Sequence, residues 1–101
     1  MILYNVTINI DNVCHDEWLA WMKNTHIPAL MSTGLFVKHT ILRLMNEEDN
    51  GGTTYAFQYY LRNIEDLSAY ESAYSSLHQA EHAKRYGEKF VSFQTILEEV
   101  E

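Results

Sequence analysis

Cysteine occurs once, proline once and glycine four times in 101 residues, and only 7 basic side chains face 14 acidic ones. A lone Cys14 excludes an internal disulfide and fits a reducing compartment. No adjacent Lys or Arg activates its thiol. The net charge of -7 repels phosphate backbones and anionic lipid surfaces, so neither nucleic acid nor membrane is an expected partner. No apolar run approaches the roughly 20 residues that span a bilayer. The opening MILYNVTINI has neither the basic start nor the cleavage site of a signal peptide. These absences lead to the expectation of a cytoplasmic protein. A P-loop, a dinucleotide fingerprint and a serine nucleophile elbow are also missing, so no cofactor is expected.

What is present is apolar and aromatic. A hydrophobic content of 47%, with 13% aromatic residues, suffices for one packed core, and residues 1–101 are expected to form one domain. Residues 2–10 alternate, with Ile2, Tyr4, Val6, Ile8 and Ile10 on one face and Leu3, Asn5, Thr7 and Asn9 on the other, which is the period of a strand. Asp11 or Asn12 can cap a following helix, whose buried stripe is marked by Trp18, Trp21 and Met22. Strands are expected over 35–45, 53–62 and 91–100, with a turn at Asn50-Gly51-Gly52 and a long helix from about Ile64. The order β, α, β, β, α, β is that of a ferredoxin-like α+β sandwich, a four-stranded antiparallel sheet with both helices on one face.

The other face of that sheet is the first functional clue. It carries Asn5, Thr7 and Asn9, together with either Ala56, Gln58 and Tyr60 or Tyr55, Phe57 and Tyr59. Freely solvated faces carry Lys and Glu; this one is neutral, which points to a second copy covering it, a homodimer.

The helix EWLAWMKNTHIPALMSTGLF holds both tryptophans and the only proline. The Pro28 ring would clash with the carbonyl of Asn24, so the helix is expected to end near Asn24 or Thr25. Pro28 then opens a short new helix that Gly34 closes, and His26 is presented from the corner near the tryptophans. Its titration range makes it a candidate to hold or move a proton.

The run EWLAWMKNTHIPALMSTGLF, with YAFQYYL and YGEKFVSFQTILEEV, resembles an uncharacterised family of bacterial proteins of about this length, domain of unknown function 4286. More distantly it resembles the dimeric α+β barrel superfamily, which includes cofactor-independent monooxygenases and muconolactone-type isomerases. The resemblance implies sheet-to-sheet pairing of two subunits and a small-molecule cleft between sheet and helices. It carries no catalytic role to a particular residue, so catalytic residues stay unassigned.

In the second helix, His78 and His82 stand at i and i+4, a spacing that can share a metal ion, and HQAEH fits an inverted zincin pattern. Three fixed letters in so small a domain are a weak basis for a metal site, and none is assigned. A straight helix from Leu67 through Tyr70, Tyr74 and Leu77 would bury Glu81. Either the helix breaks near Ser75-Ser76, where Ser76 and Gln79 match a capping box, or Glu81 lies in a polar cleft. The break is the preferred reading, and it moves the two histidines towards the rim. Seven tyrosines suggest an aromatic cleft for a flat or apolar small ligand, with Trp21, His26, Tyr55, Tyr59, Tyr74 and His78 as candidate ligand-binding residues. A non-catalytic ligand-binding or structural dimer is the expected function, with a cofactor-independent enzyme acting on an aromatic or apolar small molecule as the alternative.

Overall fold

The computed structural model describes residues 1–101. The alternating segment forms β1 (Ile2–Asp11), and the chain adds β2 (Lys38–Arg43), β3 (Gly52–Leu61) and β4 (Phe90–Glu98). All pairings are antiparallel, in the order β2-β3-β1-β4. The register sets Tyr4 opposite Tyr59 and Ile96, and Thr7 opposite Ala56 and Phe93. Period two then puts Tyr4, Ile8, Tyr55, Phe57 and Tyr59 on the buried face. Asn5, Thr7, Asn9, Ala56, Gln58 and Tyr60 share the other, which decides between the two alternatives for the outer face.

Two helices, α1 (residues 15–31) and α2 (residues 64–86), cover the buried face, and their apolar side chains join those strands in one core. The Asp11 carboxylate accepts the Val13 N–H ahead of α1, and the Asn63 side chain caps α2 by accepting the Asp66 N–H. Gly51 turns the β2–β3 connection with φ of 81°, and a side chain at Gly52 would collide with Asn9. The acidic connection is not wholly solvated, because the Glu47 carboxylate folds back to accept the Thr54 N–H at 2.7 Å and its hydroxyl at 2.6 Å.

Neither helix breaks where the sequence suggested. In α1, α-helical turns at His15–Trp21 and Ile27–Met31 are joined by a π segment, Met22–His26. The Ile27 N–H reaches the carbonyl of Met22, five residues back. This wider turn admits the Pro28 ring without ending the helix. Pro28 does sit in the first turn of the second α segment, and Gly34, with φ of 78°, follows its end.

The same device recurs in α2, where the π segment Glu71–Ser75 joins Ile64–Tyr70 to Ser76–Tyr86. No capping box forms at Ser76; Gln79 instead donates to the Ser75 hydroxyl at 2.8 Å. The extra residue shifts the inward stripe by one position. Buried residues run Leu67, Tyr70, Ser75, His78, His82 and Tyr86, with a step of five across the insertion. Leu77, expected on the apolar side, is 58% exposed. Glu81 is exposed to solvent, while His78 and His82, expected at the rim, are buried. In α1 the buried positions Trp18, Met22, Ile27 and Leu30 show the same five-residue step.

Candidate functional site

The π segment of α1, the turns of α2 that flank its own π segment, and the inner sides of β1, β3 and β4 enclose a cavity of about 370 Å³. Its volume falls in the range of small-molecule sites. Tyr59 and Phe57 form part of the sheet wall, His26 comes from α1, and His78 and His82 come from α2. The exposed Gln79, Ser92 and Gln94 border it, so it communicates with solvent on the β4 side.

Three imidazoles converge here, the His26 ring lying 6.1 Å from that of His78 and 5.6 Å from that of His82 between centroids. His82 lies between Trp21, stacked at 5.7 Å, and Phe90, stacked at 3.9 Å. The indole N–H of Trp18 donates to His82 Nε2 at 2.9 Å. Indole nitrogen is only a donor, so Nε2 must be the bare nitrogen and Nδ1 carries the proton of the neutral ring. His78 Nδ1 is hydrogen-bonded to the Tyr70 hydroxyl at 2.7 Å. His26 has aromatic neighbours but no side-chain hydrogen bond.

Burial keeps all three rings uncharged near neutral pH. His26 is pushed down to about 3, first by desolvation and then by the neighbouring His82 and His78. His82 is lowered to about 4 by desolvation. His78 is lowered by desolvation against the opposing pull of Glu81. The Tyr4, Tyr59 and Tyr70 hydroxyls are driven upward by burial and stay protonated. The hydroxyl of Tyr59 is buried and has no hydrogen-bond partner in the protein, a costly arrangement that leaves unmet polar demand in the sheet wall.

Of the residues singled out from sequence, His26, Tyr59 and His78 line the cavity. Trp21 stands behind them against His82 and His26, and Tyr74 stacks on His78 at 6.2 Å while remaining 38% exposed. Tyr55 lies outside the lining: its position on β3 carries it towards the start of α1, where its hydroxyl is 2.6 Å from His15 Nε2. His78 and His82 do not present a ready metal pair, since Tyr70 and Trp18 each occupy a ring nitrogen. No group of three or more His, Cys, Asp or Glu side chains is arranged to hold a metal ion. Sequence reasoning missed Tyr4, Phe90, Ser92 and Gln94 as lining residues. The signal for the last three was the period-two pattern of β4, which places Ser and Gln on the helix-covered side.

The βαββαβ order, the 2-3-1-4 antiparallel sheet and a cleft beneath two helices on one face define a ferredoxin-like α+β sandwich. Within that class the chain belongs to the family described as a domain of unknown function (DUF4286), whose model matches residues 1–100. Similar solved structures include an ethyl tert-butyl ether d (ethd) family protein from Bacillus halodurans C-125, 14% identical, covering 99% of this chain and 100% of that one with a TM-score of 0.68. A dimeric ferredoxin-like protein from an uncultured marine organism is 11% identical, with 100% and 96% coverage and a TM-score of 0.68. The hydroxynitrile lyase of Passiflora edulis is 15% identical, with 98% and 95% coverage and a TM-score of 0.57. At these identities the likeness is one of fold. No curated protein matches the chain. No helix is long and apolar enough to cross a membrane.

Proposed function

We propose that this protein is a homodimeric, non-catalytic binder of a small molecule held between the sheet and the helices. The observation that carries the reading is the cavity of about 370 Å³ between the sheet and both helices, with Met22 and His26 of the α1 π segment in its wall. π segments of this kind occur frequently at functional sites. The dimer is supported by the outer sheet face. There the Asn5 Oδ1 is buried without a partner, and Phe93, Val91 and Leu42 stand 62%, 70% and 46% exposed around a neutral centre. A second sheet would cover this apolar rim. Two of the structural neighbours are dimeric ferredoxin-like proteins, in keeping with that arrangement. Native mass spectrometry of freshly purified, untagged protein tests both parts. The expected species is a dimer carrying extra small-molecule mass. A monomer would remove the dimer from the reading, and a ligand that binds but leaves the cavity resonances unmoved in NMR would remove the site.

A second reading, a cofactor-independent enzyme acting on an aromatic or apolar small molecule, is favoured by one feature. His26 is a neutral imidazole on the cavity wall with no side-chain hydrogen bond, free to hydrogen-bond a bound molecule; lowered to about 3, it is a weak base that takes a proton only from an acidic group. Turnover of the co-purifying molecule, lost in His26→Gln, is its expected signature; stable retention of that molecule unchanged sinks it.

A further inference from the structure

The cavity lining contains no Lys, Arg, Asp or Glu, and eleven of its seventeen residues are hydrophobic. A carboxylate, phosphate or ammonium entering it would lose hydration and find no counter-charge. Several of the polar groups that are present are committed, while the Tyr59 hydroxyl and the His26 ring are not. Gln79 donates to Ser75, the Tyr70 hydroxyl and His78 Nδ1 are paired, and His82 Nε2 is taken by Trp18.

One commitment creates a directional group. Because the Trp18 N–H donates to Nε2, the neutral His82 ring must carry its proton on Nδ1. That N–H has no acceptor in the protein. It is also not sealed off, since Asn5 Oδ1 and Tyr59 Oη are the two buried side-chain atoms without partners. Trp21 and Phe90 clamp the ring plane from both sides, so the donor cannot swing away. A protonated imidazole would offer donors at both nitrogens and break the bond from Trp18.

We infer that the cavity selects an uncharged, largely apolar molecule bearing a hydrogen-bond acceptor, such as a carbonyl, ether or nitrile, which receives the Nδ1–H of His82 in an orientation fixed by Trp18. This inference rests on the small-ligand reading above. His82 is on this account a specificity-determining residue and Trp18 its positioning residue. The matched acceptor satisfies a donor that an isosteric hydrocarbon leaves unpaired, a difference of about tenfold or more in affinity.

The test is NMR titration of the isotope-labelled wild-type dimer at pH 7 with acetophenone, isopropylbenzene and benzoate, preceded by long-range nitrogen-proton spectra that read the histidine tautomers. The expected result is an Nδ1–H tautomer at His82, and acetophenone binding about tenfold or more tightly than either of the others. The Nδ1 proton resonance should shift with the ketone alone. His82→Phe should keep isopropylbenzene binding and erase the preference for the ketone. An Nε2–H tautomer, equal affinities for ketone and hydrocarbon, or a preference for benzoate overturns the inference while leaving a cavity that binds. If none of the three probes moves any cavity resonance up to its solubility limit, the small-ligand reading itself falls, and the inference with it. The wild-type tautomer and affinity ratio decide the matter even if His82→Phe does not fold.

Discussion

Both helices absorb one extra residue, but the two insertions deliver different chemistry to the same cavity. The insertion in α1 ends on His26, an imidazole packed against aromatic rings without a side-chain hydrogen bond. That in α2 precedes His78 and His82, each tied by one nitrogen to an aromatic partner on the protein. Free and anchored rings therefore face one another. The contrast separates a group free to hydrogen-bond a ligand from groups whose tautomer or orientation is already set. It also shows that a π turn adds a residue without rotating the helix beyond it, because the flanking α segments keep their inward faces.

Acidification should give the largest effect. His26 and His82 fall from 6.5 to about 3 and about 4 in the folded protein, so below pH 6.5 the unfolded chain binds protons that the native state refuses. Their contribution to stability is whole above pH 6.5 and is lost as pH falls through about 4 and towards 3. The slope is about 1.4 kcal/mol per pH unit for each such histidine. Urea unfolding from pH 7 to pH 4 should reveal it, and His26→Gln should flatten it by one histidine's share. An unchanged slope in that variant would mean His26 is accessible to protons in the native state.

Deletions compare the two insertions directly. Removing Asn24 turns the π segment of α1 into a regular turn and drives the Pro28 ring against the carbonyl four residues back, at a cost of about 3 kcal/mol. Removing Ala73 regularises α2 with no proline in the way, keeps Ser75, His78 and His82 facing inward, and should cost under about 1 kcal/mol. Equal losses in the two deletants would show that phase keeping alone does not account for the insertions.

Between these and surface changes lies the anchor. Trp18→Phe removes a fully buried indole and the bond to His82 Nε2 and should cost about 2 kcal/mol, with a rise in the His82 titration midpoint as its ring is released. A midpoint that stays near 4 would assign the depression of His82 to desolvation without help from the indole.

The strands were readable because alternation in residues 2–10 and 53–61 is a local property that the pleat preserves. The first insertion left a visible trace in Pro28, but a proline reads equally as a break, and only a five-residue bond from Ile27 to Met22 distinguishes the two. The second has no such residue. Its sole trace was the misplaced carboxylate of Glu81 on an otherwise apolar stripe, and a break explains that as readily as an insertion. Hence His26, Tyr59 and His78 lie on the cavity wall, His78 and His82 are buried where a break would have put them at the rim, and Tyr55 lies beside His15 instead. The bond from Trp18 to His82 joins residues 64 apart and has no signature in spacing at all.

The smallest effect tests the phase of α2 most cleanly. On a straight helix Leu77 and Glu81 would continue the stripe of Leu67 and Tyr70, and Leu77→Ala would remove a core side chain at a cost of about 2–4 kcal/mol. With the insertion at Glu71–Ser75 both lie in solvent, so Leu77→Ala and Glu81→Ala should each change stability by less than about 0.5 kcal/mol. Glu81 is the charge that opposes the depression of His78, so its removal should lower the His78 midpoint further without a matching loss of fold. A large loss from Leu77→Ala would place that side chain in the core and return His78 and His82 to the rim, dissolving the anchored half of the comparison.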